Sequence, residues 1–283
     1  MGEEVAVLRL ECGKANAITV ELLDTLDRMI EGFERSPATA AVLTGYDTYF
    51  SCGLALPHII DFGVVELRGF IEYFSRVMLR VFACEKPIVA AINGHAIAGG
   101  CVLALTCDWR IATDDPMARI GLNETQLGIG LPAIAVEALR AAVPAASVVP
   151  IAFEGKLFAP RDALALGLTH EVVPAGELLA RATARAEALA ALPPAAIAQV
   201  KHALRAPSLD TVARTADAET TRWLDTWFHP DAQSRLRAAV ARLGGSAPGS
   251  RSHASAQPAA DHARRPVTSP LPRLKAHTQR DPT

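Results

Sequence analysis

The chain has 283 residues, half of them hydrophobic and a fifth charged, with a formal net charge of −2. Its length and positive mean hydropathy allow one large or two small domains with a substantial core, and a charge so near neutral argues against phosphate-backbone binding by the body of the protein. No uninterrupted apolar run reaches the length of a membrane span, and Met1-Gly2-Glu3-Glu4 lacks the basic and apolar regions of a secretory signal, so a soluble cytoplasmic enzyme is expected.

Val5 to Leu10 alternates as a strand. Thr19 to Phe33 carries apolar residues at Leu22, Leu23, Leu26, Met29 and Ile30, which predicts an amphipathic helix begun at Thr19. A strand at Ala40 to Thr44 leads to the turn Phe50-Ser51-Cys52-Gly53. A helix from about Glu66 to Ala83, a buried strand at Ile88 to Ile92, a helix starting near Gly99 and a strand at Trp109 to Thr113 continue a strand–helix alternation of the βα type. From Pro132 onward nearly everything reads as helix, punctuated at Pro144, Pro160, Pro174, Pro193-Pro194 and Pro207. The last helix, Asp231 to Leu243, stops at Gly244-Gly245.

Residues 244–283 hold six Arg or Lys against two Asp, a net +4 that leaves the rest of the chain at −6. This segment is rich in Ser, Ala, Pro and His without an apolar period, and it reads as a disordered tail. Cys12, Cys52, Cys84, Cys101 and Cys107 form no C-x-x-C pair and read as reduced thiols. No dinucleotide fingerprint, phosphate-binding loop or metal-ligand cluster occurs, so no cofactor and no metal are expected.

Two segments carry chemistry. In Ala98-Gly99-Gly100-Cys101-Val102, a glycine pair enters an apolar helical stretch, where backbone can approach a ligand and offer unpaired N–H groups to developing negative charge. The same pair also serves as ordinary punctuation of a tight turn. In Gly121-Leu122-Asn123-Glu124-Thr125-Gln126-Leu127-Gly128, Glu124 stands among apolar neighbours, where desolvation would raise its pKa toward a value useful for a base. An anion-stabilising turn with one carboxylate suggests enolate chemistry.

Lys86-Pro87-Ile88-Val89-Ala90-Ala91-Ile92-Asn93-Gly94 leading into Ala98-Gly99-Gly100-Cys101 resembles the core signature of the crotonase family, the enoyl-CoA hydratase/isomerase superfamily. The resemblance extends to Ala15-Asn16-Ala17-Ile18, to Val42-Leu43-Thr44-Gly45 with Phe50-Ser51-Cys52-Gly53-Leu54, and to Ala163-Leu164-Ala165-Leu166-Gly167-Leu168 with Glu171-Val172-Val173-Pro174. It covers residues 4 to 243. Within the family, Leu105 to Ala112 and Gly121 to Gly128 are most similar to mitochondrial-type Δ3,Δ2-enoyl-CoA isomerases.

The resemblance implies an α/β fold, a spiral of ββα units over residues 1–190, followed by a C-terminal helical trimerisation region over 191–243. It implies an acyl-CoA substrate, no further cofactor, no nucleic-acid or membrane partner, and a homotrimer or hexamer. Carried over residue by residue, the oxyanion donors are the N–H groups of Leu54 and Gly99, and the acid/base is Glu124. Substrate would lie along Ala15 and Ala17, along Cys52, Gly53, Ala55 and Leu56, and beside Asn123. Lys14 and Lys86 could meet coenzyme A phosphates or be solvated.

Hydratases of the family use two glutamates, and the first would stand at Val102. Valine can neither hold water nor pass a proton, so the pattern favours a one-base isomerase over a hydratase or thioester hydrolase. A non-catalytic acyl-CoA-binding subunit is the third reading, motivated by Val102 and by Ala55, where the family usually has aspartate. Asp108, His95 and His58 read as structural rather than catalytic. Cys52 lies beside the oxyanion turn, but no motif ties a histidine base to it.

Overall fold

The computed structural model describes residues 4–245. The tail reading for 246–283 lies outside the described residues. Five parallel strands make the main sheet in the order β1-β2-β4-β6-β8: β1 is Val5–Arg9, β2 Ala40–Thr44, β4 Ile88–Ile92, β6 Trp109–Thr113 and β8 Glu171–Val173. Every residue of β2 and β4 is buried, as expected of central parallel strands covered on both faces.

The pleat divides those strands between two cores. Ala40, Val42, Val89, Ala91 and Ile111 face Leu178, Ala182 and Ala186, three residues spaced by four on α9 (Leu178–Ala190). Ala41, Leu43, Ile88, Ala90 and Ile92 face the larger core, which takes in the apolar stripes of α1 (Val20–Arg35) and α3 (Val64–Ala83). Thr19 caps α1, its hydroxyl accepting from Leu22 N at 3.2 Å. The helix α4 (Gly99–Thr106) is buried at all eight residues, consistent with a sequence that is apolar on every side.

A second sheet was not foreseen. It has three parallel strands in the order β3-β5-β7: Tyr49–Ser51, His95–Ile97 and Ile120–Gly121. Strands of two or three residues show no period in the sequence, and only pairing defines them. Two short helices, α2 (Leu56–Ile59) and α5 (Glu124–Leu127), show no pattern in the sequence, and β8 falls in the stretch that reads as helix, where α8 (Pro160–Ala165) precedes it. Between α5 and α8 lie α6 (Ala133–Ala142) and α7 (Ala145–Glu154).

Beyond α9 the described residues form two helices, α10 (Pro194–Trp227) and α11 (Pro230–Gly245). Pro207 does not punctuate this region; it stands inside α10, which continues through it for 34 residues. Tertiary ties on both sides outweigh the lost backbone bond. On the amino side, Asp108 accepts from Lys201 Nζ at 2.7 Å and from Arg205 at 2.8 Å, and also from Ile88 N at 2.8 Å. On the carboxyl side, Val212, Trp223, Leu224 and Trp227 are buried.

Candidate active site

The small sheet gathers the candidate residues. β3 runs into Cys52-Gly53-Leu54, β5 into Ala98-Gly99, and β7 into Leu122-Asn123-Glu124. Because β3 pairs with β5 and β5 with β7 in parallel, all three carboxyl ends open on one edge. That edge is where open α/β sheets hold their ligands.

The three segments touch backbone to backbone, and glycine makes this contact possible. Gly53 has φ +78°, and a methyl group built there would stand 2.8 Å from Ile97 O and 3.1 Å from Gly99 N. A methyl on Gly100 would stand 2.1 Å from Ser51 O. Ala98 adopts φ 51°, an uncommon conformation for a residue with a side chain. It is held by its N–H donating to Gly121 O at 2.9 Å and by its carbonyl accepting from Val102 N at 2.9 Å.

Gly99, as the first residue of α4, has no intrahelical acceptor for its N–H. Leu54 forms a parallel bridge with Ile18 in which Ile18 N donates to Gly53 O at 2.8 Å and Ala55 N to Ile18 O at 3.1 Å. The Leu54 N–H therefore turns away from Ile18. These backbone bonds also anchor the loop at Ala55, so the absent aspartate does not leave it untethered.

The loop at Ala15 and Ala17 lies against the loop at Cys52, with Cys52 N donating to Ala15 O at 3.1 Å. Asn16, fully buried, builds this junction: Nδ2 donates to Leu10 O at 2.8 Å and Phe50 O at 3.1 Å, while Oδ1 accepts from Cys12 N at 2.8 Å. The sequence pattern showed Asn16 only as a letter within a family motif. Its left-handed φ of 46° is the one local signal, since asparagine tolerates that region. Leu56 begins α2, immediately past this loop.

Glu124 opens α5 and is only 7% exposed. Burial pushes its pKa up to about 7. Neither its Oε2 nor the Oδ1 of Asn123 has a hydrogen-bond partner. Two adjacent buried acceptors without partners are unusual in a folded chain and mark this as a candidate ligand-binding point. Cys101, on the first turn of α4, is fully enclosed, and its thiol is pushed up by burial and by Glu124. Val102 is also fully buried. The Cys52 thiol is pushed up to about 11 by burial, which opposes a nucleophilic role.

Other candidates have different surroundings. Lys86 does not face a phosphate site: its Nζ donates to Phe33 O at 3.0 Å and Ser36 O at 2.8 Å, closing the carboxyl end of α1. Lys14 is exposed. His95 stands at the amino end of β5, opposite the site edge, and burial lowers its pKa. His58 is exposed on α2. Asp108 is the half-buried anchor of α10 described above. Among the described residues no group of three or more His, Cys, Asp or Glu could hold a metal ion, and no helix is long and apolar enough to cross a membrane.

The chain matches the family model described as enoyl-CoA hydratase/isomerase over residues 1–239. It is 30% identical over 244 residues to mitochondrial enoyl-CoA delta isomerase 1 of Homo sapiens, covering 86% of this chain and 81% of that one. It is 31% identical over 204 residues to a short-chain-enoyl-CoA hydratase of Clostridium acetobutylicum, covering 71% and 77%. Among solved structures, human mitochondrial delta3-delta2-enoyl-CoA isomerase superposes with a TM-score of 0.82 at 29% identity, over 86% of this chain and 95% of that one. An enoyl-CoA hydratase/isomerase from Xanthobacter autotrophicus gives 0.73 at 27% identity, over 87% and 96%. The parallel sheets, the helical carboxyl end and these matches agree: the chain belongs to the enoyl-CoA hydratase/isomerase family and has its crotonase fold.

Proposed function

We propose that the protein is a Δ3,Δ2-enoyl-CoA isomerase that moves a carbon–carbon double bond with Glu124 as its single acid/base. The observation that carries this reading is the buried Glu124 carboxylate, whose Oε2 has no partner, together with an apolar Val102 where a hydratase of the family would have its second glutamate. The N–H groups of Leu54 and Gly99 hold the thioester oxygen, and their hydrogen bonds strengthen as the enolate forms. Glu124 takes a proton from C2 of the 3-enoyl thioester. The electron pair passes into the dienolate, and the same carboxyl returns the proton to C4, leaving a 2-enoyl thioester.

Substrate in this reading rests against Ala15, Ala17, Cys52, Gly53, Ala55, Leu56 and Asn123, coenzyme A enters as part of the thioester, and the assembly is a homotrimer or hexamer. The test is conversion of 3-enoyl-CoA to 2-enoyl-CoA, followed by absorbance and mass spectrometry. Turnover that disappears in Glu124→Gln while acyl-CoA binding persists supports the mechanism. Formation of 3-hydroxyacyl-CoA from a 2-enoyl thioester would instead favour hydration, the activity named for the clostridial relative. Tight binding without conversion at any chain length would favour an acyl-CoA-binding subunit.

A further inference from the structure

Glu124 opens a helix of four residues, too short to hold its own place in water. On one side α5 meets α11, where Arg235 Nη1 donates to Gln126 O at 3.5 Å; on the other it is tied to the end of α7. Gln126 Nε2 donates to Glu154 O at 2.7 Å, and Thr125 Oγ1 donates to Ala152 O at 3.2 Å. Both acceptors lie in the last turn of α7, where carbonyls lack intrahelical donors.

Gly155 ends α7 at φ +59°, pressed so closely on α5 that a methyl group there would stand 2.4 Å from Thr125 Oγ1 and 2.8 Å from Gln126 Cγ. The chain then runs back beside β7, where Phe158 and Ile120 exchange two backbone bonds of 2.9 Å. Asn123 provides no side-chain cap for α5, and Glu124 Oε2 has no partner. The contact with α7 therefore helps to fix the carboxylate, whose Oε2 has no partner of its own.

We propose that Gln126 is a positioning residue for Glu124, its amide latching α5 onto the carbonyl end of α7, with Thr125 as a second tie. The inference rests on the one-base reading. In that cycle the proton leaves C2, its bonding pair enters the dienolate, the dienolate pair then forms the C4–H bond with the same proton, and the carboxylate is regenerated. The oxyanion donors fix C1, so C2 stays close to Glu124, whereas C4 lies two bonds further along the chain. A carboxyl that must serve both carbons tolerates little displacement, since an error of about 1 Å can cost about 10²-fold. A loosened Glu124 still meets C2 but misses C4, and the abstracted proton exchanges with water.

The experiment runs 3-enoyl-CoA isomerisation in deuterium oxide. Mass spectrometry reads deuterium at C2 of recovered substrate against product formed. In Gln126→Met, which keeps the side-chain length but removes the donor, kcat is expected to fall about tenfold with KM within about twofold, and the exchange-to-isomerisation ratio to rise about tenfold. Gln126→Lys, which restores a donor, returns the ratio toward wild type, and Thr125→Val shows a smaller rise. A ratio unchanged in both Gln126→Met and Thr125→Val overturns the proposal even if total activity drops, because loss of folded enzyme lowers both rates alike. Failure of the one-base reading shows separately, as isomerisation that survives in Glu124→Gln.

Discussion

Glu124→Gln is expected to stabilise the protein above neutral pH while abolishing turnover, and the size of the effect follows from the site. Burial lifts the Glu124 pKa from 4.5 to about 7, which at about 1.4 kcal/mol per pKa unit places roughly 3 kcal/mol against the ionised form. A carboxyl whose folded pKa is raised binds more protons in the native than in the unfolded state between those two values. Its favourable contribution is complete below about pH 4.5 and is lost as pH rises through about 7. Glutamine never ionises and escapes that loss. At pH 8 the variant therefore gains up to roughly 3 kcal/mol over wild type, and at about 2–4 °C per kcal/mol for a chain of this size its melting temperature rises by several degrees. Near pH 4.5 the two melt together. The same ionisation governs catalysis: because the base must be charged, wild-type kcat/KM falls about tenfold per pH unit below about 7. Thermal melts of both proteins from pH 4.5 to 8, with a pH–rate profile on 3-enoyl-CoA, check the argument. Melting curves that coincide at every pH, or a rate that stays flat from pH 8 to 5, would refute it.

Other expectations rest on other parts of the molecule. Asp108→Ala leaves Lys201 and Arg205 largely buried without their carboxylate and is expected to cost about 3–5 kcal/mol in denaturant unfolding; a loss below about 1 kcal/mol would show the anchor to be dispensable. Pro207→Ala, at an exposed position inside α10, is expected to stabilise by about 1–3 kcal/mol, read as a higher urea midpoint. Gly53→Ala forces a methyl against Ile97 O and Gly99 N in a left-handed conformation. It is expected to lower isomerase activity by about 10²–10³, as removal of one oxyanion donor does, and activity within threefold of wild type would contradict the placement of Leu54 N–H.

Four strands of the main sheet were legible because they announce themselves, whereas β8 lies in the stretch that reads as helix. Ala40–Thr44 and Ile88–Ile92 are short apolar runs between helices, and a fully buried parallel strand has that composition. Thr19 likewise marked the start of α1, since a hydroxyl ahead of an apolar period is a local signal for a local bond. Gly100 could be read in the chain as a point of close backbone approach, because no larger residue fits where it meets Ser51 O. The small sheet could not be read. Tyr49–Ser51, His95–Ile97 and Ile120–Gly121 exist only through one another, and no segment of two or three residues encodes its partner. Pro207 misled for the same reason: its local rule is sound, but ties to Asp108 from distant chain decide the helix. The sequence by itself determined which groups are present, one carboxylate and a turn of glycines without a second acid. Only the tertiary structure decided that three parallel strand ends bring them to one edge and that burial raises the carboxyl, because proximity and desolvation are properties of packing and not of any single stretch of chain.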